Sequence, residues 1–184
     1  MGHHVFDPSN AERLEDPARF RFCSREELLQ HLPRNSDSRI LDVGSGSGFY
    51  TEELAPFLGN VVGLDLHHTM HTRYVDRGVA DNVSLVTGEA ESLPFRDETF
   101  DGVVSTMTFH ESATNDSLEE LHRTMRKDAP VVIVDWSGNG GGEAGPPTDE
   151  RYDVIEACRL LVTAGFTIRI AAERTETFLV VAIR

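Results

Sequence analysis

From Arg39 onward, short apolar runs alternate with segments of helical spacing. Ile40–Val43 predicts a first strand, and the pattern from Phe49 to about Leu58 predicts a helix. Gly59-Asn60 makes the turn into a second strand, Val61–Asp65. A helix over roughly Thr69–Arg77 is ended by Gly78, and Val83–Thr87 reads as a third strand. Leu93-Pro94-Phe95 and the polar Arg96–Thr99 connect to a fourth, Phe100–Ser105. Leu118, Leu121, His122 and Met125 form a stripe that predicts a helix over Ser117–Lys127. Val131–Asp135 is a fifth strand, Asp149–Ala164 a helix stopped by Gly165, and Phe166–Ile170 and Thr177–Ile183 are the last two strands.

Strands that alternate with helices imply a largely parallel sheet covered on both faces. The unbroken apolar run Val131–Val134 fits a strand buried on both sides. Ala171–Glu176 is too short for a parallel crossover of about a dozen residues, so the seventh strand should pair antiparallel with the sixth. The expected fold is therefore a doubly wound, Rossmann-like α/β sheet of seven strands, six parallel and the seventh antiparallel. One domain over 1–184 is expected, with a helical leader at 1–35 and a core at 36–184. In the leader, Ser24 can cap a helix over about Arg25–Leu32, with Glu27 at the capping-box position.

Charge narrows the partners. The chain has 31 acids against 17 bases, a net charge of −14, and Lys127 is its single lysine. Such a surface repels nucleic-acid phosphates and anionic lipid heads. Its even spread suggests adaptation to high salt, with an ordinary acidic protein as the alternative. No apolar run reaches the ~20 residues of a membrane span, and the amino end has no secretory stretch. A cytoplasmic protein with Cys23 and Cys158 reduced is expected.

The chemistry gathers at strand ends. After the first strand, Gly44, Gly46 and Gly48 alternate in a tight turn that lets a ligand approach bare backbone. The second strand ends at Asp65, where a carboxylate can accept both hydroxyls of a ribose. The third is followed by Gly88-Glu89-Ala90, which can read an adenine edge. A dinucleotide loop prefers G-x-G-x-x-G, its glycines admitting a pyrophosphate. Here the spacing is G-x-G-x-G, and Asp42 precedes the first glycine by two residues. A carboxylate there opposes a pyrophosphate and suits a ligand carrying an amino group and a sulfonium. S-adenosylmethionine is favoured over a nicotinamide cofactor.

Four segments carry a family resemblance. They are Leu41-Asp-Val-Gly-Ser-Gly-Ser-Gly48, Val62-Gly-Leu-Asp65, Gly88-Glu-Ala-Glu-Ser-Leu-Pro-Phe95 and Phe100-Asp-Gly-Val-Val-Ser105. From about residue 36 to its end the chain resembles class I S-adenosylmethionine-dependent methyltransferases, of the small group similar to quinone-biosynthesis and arsenite methyltransferase-like proteins. The resemblance implies a fold of six parallel strands and an antiparallel seventh. It also implies that Gly44, Ser45 and Gly46 pass under the methionine and ribose of the cofactor, and that Asp42 holds the amino group. Asp65 would bind the ribose hydroxyls, Leu66 and Met70 would pack on adenine, and Glu89 and Ala90 would meet its edge. Ser105 would offer its backbone to the amino group, and Tyr50 would contact the carboxylate. His67-His68 departs from the short polar residue and proline that often follow the ribose-binding acid.

His110, Glu111 and Asp135 fall at the ends of the fourth and fifth strands. His110, whose unperturbed pKa of ~6.5 suits proton transfer, is the first choice for a base; shaping the pocket of a small-molecule acceptor is the other role. The oligomeric state stays open. No metal site is expected: His67 and His71 are i,i+4, but a tetrahedral site needs three or four ligands. The glycine-rich Ser137–Thr148 is either a lid or a tolerated insertion. Phe6, Phe20 and Phe22 either close over the cofactor or pack on the sheet edge. A cofactor-binding sensor or partner subunit without catalysis is the alternative to an enzyme.

Overall fold

β-branched and apolar runs become strands because alternating or continuous side chains can be buried against both layers of helices. A computed structural model describes residues 14–184, so Phe6 and the His3-His4 pair lie outside the described residues. The strands are β1 (Arg39–Val43), β2 (Asn60–Asp65), β3 (Val83–Thr87), β4 (Gly102–Thr106), β5 (Pro130–Trp136), β6 (Thr167–Glu173) and β7 (Thr177–Ile183). They form one sheet in the order β3-β2-β1-β4-β5-β7-β6. β1 to β5 pair in parallel. β7 is antiparallel to β6, as the short connection requires, and also to β5, between which it inserts.

Alternate residues of each strand feed two cores. Leu41, Val62, Leu64, Val131 and Ile133 join one cluster with Phe109, Leu118, Leu121 and Leu161. Ile40, Val61, Val132 and Val134 join the other with Leu28, Leu29, Phe49 and Leu54. The helices that supply these residues are α1 (Arg25–Leu29), α2 (Phe49–Leu54), α4 (Phe109–Ser112), α5 (Asn115–Thr124) and α6 (Val154–Thr163), and α3 (His68–Arg77) lies between β2 and β3 in the chain. No helix among the described residues is long and apolar enough to cross a membrane.

Several boundaries differ from the sequence expectation: α1 stops at Leu29, α2 at Leu54, α5 spans Asn115–Thr124 and β6 runs on to Glu173, and three further differences have a local reason. α6 starts at Val154 because Asp153, in extended conformation, accepts from Glu156 N–H and closes a capping box; Thr148–Glu150 is only a 3-10 turn. β4 starts at Gly102, and Phe100 instead bridges to Met125. α4 has four residues, too few to show a period.

Ser137–Thr148 is tied down by Arg151, whose guanidinium donates to the carbonyls of Ser137, Ala144 and Pro146. Glu176 accepts from the Glu143 N–H, and Gly145 packs against Trp136.

Candidate functional site

The order of strands reverses between β1 and β4, and open α/β sheets hold ligands outside the carboxyl ends of strands at such a point. A cleft of about 400 Å³ lies there. Its floor is the glycine turn, anchored where the Gly44 and Ser45 N–H groups both donate to the Leu64 carbonyl, at 2.8 and 2.9 Å. Gly44 (φ 74°) leaves no room for a side chain, since a Cβ would stand 2.2 Å from Thr108. Gly46 (φ 55°) is different. A Cβ there would meet nothing among the described residues nearer than Leu14 at 3.6 Å, and Gly46 lines the cleft with bare backbone.

Two carboxylates flank this turn. Asp42 is 2% exposed; one oxygen accepts from Thr51 Oγ1 at 2.6 Å, and Oδ1 has no hydrogen-bond partner among the described residues. Burial lifts its pKa to about 6; the neighbouring Asp65 adds to this, and Thr51 and Arg19 oppose it. Asp65 accepts from Gly46 N–H at 2.8 Å and from His67 N–H at 2.9 Å, one bond to each oxygen. Each oxygen keeps a lone pair for a further donor. The turn therefore already carries an internal anion, and a pyrophosphate would add charge to charge.

Gly88, Glu89, Ala90, Leu66 and Met70 line the cleft beyond Asp65. Tyr50 lines it too, and its hydroxyl is engaged within the protein, donating to the Cys23 carbonyl at 3.1 Å and lying 3.3 Å from that of Arg19. Ser105 does not line it. That residue is buried inside the β4 ladder, its hydroxyl without a partner among the described residues, and the wall begins one residue later with Thr106, Met107 and Thr108.

The leader supplies a residue that the sequence pattern did not reveal. Arg19 lines the cleft with its guanidinium 5.1 Å from the Phe49 ring centre and 5.2 Å from that of Tyr50. It donates to the Leu14 carbonyl at 2.6 Å and approaches Met107 Sδ at 3.5 Å. Among the described residues it is the only arginine or lysine lining the cleft. The one local signal was the Arg19-Phe-Arg-Phe22 alternation, and its meaning depends on a fold that returns the leader to the sheet. Phe20 packs 4.9 Å from Phe49, and Phe22 4.8 Å from Trp136; neither lines the cleft.

His110 does not stand in the cleft wall. Its Nδ1 lies 2.9 Å from the Asp135 carboxylate, which also accepts from the His110 N–H at 2.6 Å and from the Trp136 N–H at 2.7 Å. Its Nε2 is 3.4 Å from Glu111 Oε1. Burial alone would lower the His110 pKa; Asp135, helped by Glu111, outweighs it and lifts the imidazole to about 10. Between two carboxylates the imidazolium form is favoured, and the ring lies outside the cleft wall, so His110 does not stand where the expected base would act. The group that reaches the cleft is Glu111, beside Thr108 and Ser112.

Other expectations resolve in the same way. The His67 and His71 rings separate: His67 sits 3.8 Å from Asp65, while His71 turns inward between Ser45 and Thr87. Cys23 and Cys158 are both free, packed with the two opposite cores. Burial pushes the Cys23 thiol up to about 12, so it carries no thiolate at neutral pH. No residue of Ser137–Thr148 lines the cleft, which places that loop apart from it.

Comparison with known proteins gives a consistent result. A family profile described as "Methyltransferase domain" matches residues 41–133. A crystal structure described as a SAM-dependent methyltransferase from Aquifex aeolicus superposes with a TM-score of 0.89 at 30% identity, covering 97% of this chain and 99% of that one. A ubiquinone/menaquinone biosynthesis C-methyltransferase UbiE from Coxiella burnetii is 27% identical over 124 residues, 62% of this chain and 49% of its own length. The corresponding enzyme of Ectopseudomonas mendocina is 32% identical over 113 residues, 56% of this chain and 43% of its own. The chain thus spans about half the length of the curated relatives it matches.

Proposed function

Because the chain belongs to the methyltransferase-domain family, we propose that it transfers a methyl group from S-adenosylmethionine to a small-molecule acceptor. One observation carries the choice of cofactor. A buried carboxylate with an oxygen that no described residue partners, Asp42, borders a turn whose own N–H is already held by a second carboxylate, Asp65. That site rejects a diphosphate and matches an ammonium group with a ribose beside it.

In this reading Asp42 takes the amino group and Asp65 the ribose hydroxyls. Gly46 lets the ribose approach, Leu66 and Met70 cover the adenine faces, and Glu89 and Ala90 meet its edge. The guanidinium of Arg19, held close to the rings of Phe49 and Tyr50, takes the carboxylate that Tyr50 was expected to contact. The sulfonium of the bound cofactor supplies an activated methyl and a good leaving group. The protein then has to align the acceptor and exclude water. Thr106, Met107 and Thr108 form the wall on that side, and Glu111 presents a carboxylate to it. If the acceptor must lose a proton, Glu111 takes it, with the His110 imidazolium behind it and Asp135 fixing His110.

A high-salt cytoplasm is the setting proposed for the chain, supported by the 31 acids against 17 bases. Calorimetric titration with S-adenosylmethionine and NAD, followed by methyl-donor turnover over a panel of small acceptors, tests the function. The expected result is binding of the first and turnover of some acceptor. Binding without turnover across the panel would point to a sensor or partner subunit, and binding of NAD alone would refute the cofactor.

A further inference from the structure

His71 is 4% exposed on α3, and neither the cofactor contacts nor the acceptor wall uses it. Its ring spans two parts of the cleft that are distant in sequence. Nε2 is 3.4 Å from Ser45 Oγ in the glycine turn, and Nδ1 is 3.0 Å from Thr87 Oγ1 at the end of β3. Ser45 lines the cleft, and Gly88, Glu89 and Ala90, which follow Thr87 directly, line it at the other end. The position of Ser45 is itself built in. β2 carries Gly63 beneath it, where a Cβ would come within 2.9 Å of Ser45 Oγ.

We propose that His71 is a positioning residue that ties the glycine turn to the adenine-side segment 88–90 and so sets the span of the cofactor cleft. This rests on the reading of the cleft as a site for S-adenosylmethionine. A ligand that reaches from the turn to the adenine segment feels both ends of the tether. Burial lowers the His71 pKa, with His68 acting in the same direction and Asp65 against it. The ring is therefore neutral at pH 7, with one nitrogen donating and the other accepting, and the two hydroxyls complete both bonds. An apolar ring of similar size keeps the packing and loses the tether.

The experiment is a double-mutant cycle read by calorimetric titration of S-adenosylmethionine, with melting temperature recorded for each variant. His71→Phe removes both bonds, Thr87→Val removes one without changing shape, and His71→Gln restores a polar end. His71→Phe is expected to weaken binding about tenfold, and Thr87→Val about threefold. The pair should be no weaker than His71→Phe alone, with His71→Gln recovering part of the loss. Wild-type affinity in His71→Phe would overturn the tether. So would additive losses in the cycle, or His71→Gln as weak as His71→Phe. Should His71→Phe fail to fold, Thr87→Val and Ser45→Ala carry the test: each alone must weaken binding, and the pair less than additively. A wild-type protein that binds no S-adenosylmethionine sinks the cofactor reading instead, which keeps the two failures apart.

Discussion

Two buried ionisable side chains lie close to one cleft, and their partners decide opposite outcomes. Among the described residues Asp42 has one hydroxyl donor and one unpartnered oxygen, so burial wins and its pKa rises to about 6. In the empty protein its charge is a cost at neutral pH, a cost relieved as pH falls through about 6. A cationic ligand reverses this by favouring the ionised form. Affinity for S-adenosylmethionine should therefore fall below about pH 6, by up to about tenfold per pH unit. Affinity that holds level from pH 7 to 5 would contradict the pairing. Asp65→Ala should cost roughly 1–3 kcal/mol of binding, as a lost charge-assisted contact, measured by the same titration. His110 has its carboxylate in place, and its raised pKa gives the converse sign. The stability it contributes is complete below its ordinary value of 6.5 and is lost as pH climbs through about 10. Asp135→Asn strips the partner from a buried cation and should cost about 3–5 kcal/mol of folding stability by denaturant melts. It should also remove that alkaline limb. Asp42, the glycines, Asp65 and Glu89 were legible because strand–turn–helix chemistry is local. Arg19 and the Asp135 clamp on His110 were not, since both depend on contacts between distant segments.

At the scale of elements, the turn between β1 and α2 is the least replaceable piece. Gly48 has φ 83°, and a Cβ there would stand 2.3 Å from the Tyr74 ring, which is fully buried. Gly48→Ala should destabilise the fold by at least about 2 kcal/mol, since strain and overlap coincide; a melting temperature within a degree of wild type would refute that account. The glycine-rich loop behaves otherwise. Arg151 ties its carbonyls and none of its residues borders the cleft, so removing Asn139–Pro146 should lower stability and leave cofactor affinity unchanged. Strand positions were readable to within two residues, except that β6 runs on to Glu173, because burial on both faces forces continuous apolar runs in the central strands. The start of α6 was misplaced by five residues, from Asp149 to Val154. Asp149 and Asp153 can each cap a helix, so the sequence allows either start, and the bond that the Asp153 side chain accepts decides between them.

For the whole molecule, loop length alone dictated that β7 runs antiparallel to β6. Its insertion beside β5 is a matter of non-local packing that no short segment encodes. The charge balance acts at this scale as well. Ion pairs such as Arg73–Glu15 and Arg123–Asp97 join opposite charges locally, but a net charge of −14 leaves long-range repulsion dominant. Molar potassium chloride should therefore raise the melting temperature, as screening shortens the reach of that repulsion to about 3 Å. A melting temperature that falls in salt would mean that the ion pairs dominate and that the surface is not adapted to salt.

The central claim is that the ammonium group of a cofactor meets Asp42. Titrating S-adenosylmethionine into the protein at pH 6 in buffers of different ionisation enthalpy measures the protons released on binding. The account predicts about half a proton, because Asp42 is half protonated when the cleft is empty and ionised when it is filled. Asp42→Asn should bind more weakly and release none. Equal proton release from both proteins, or none from either, would contradict it.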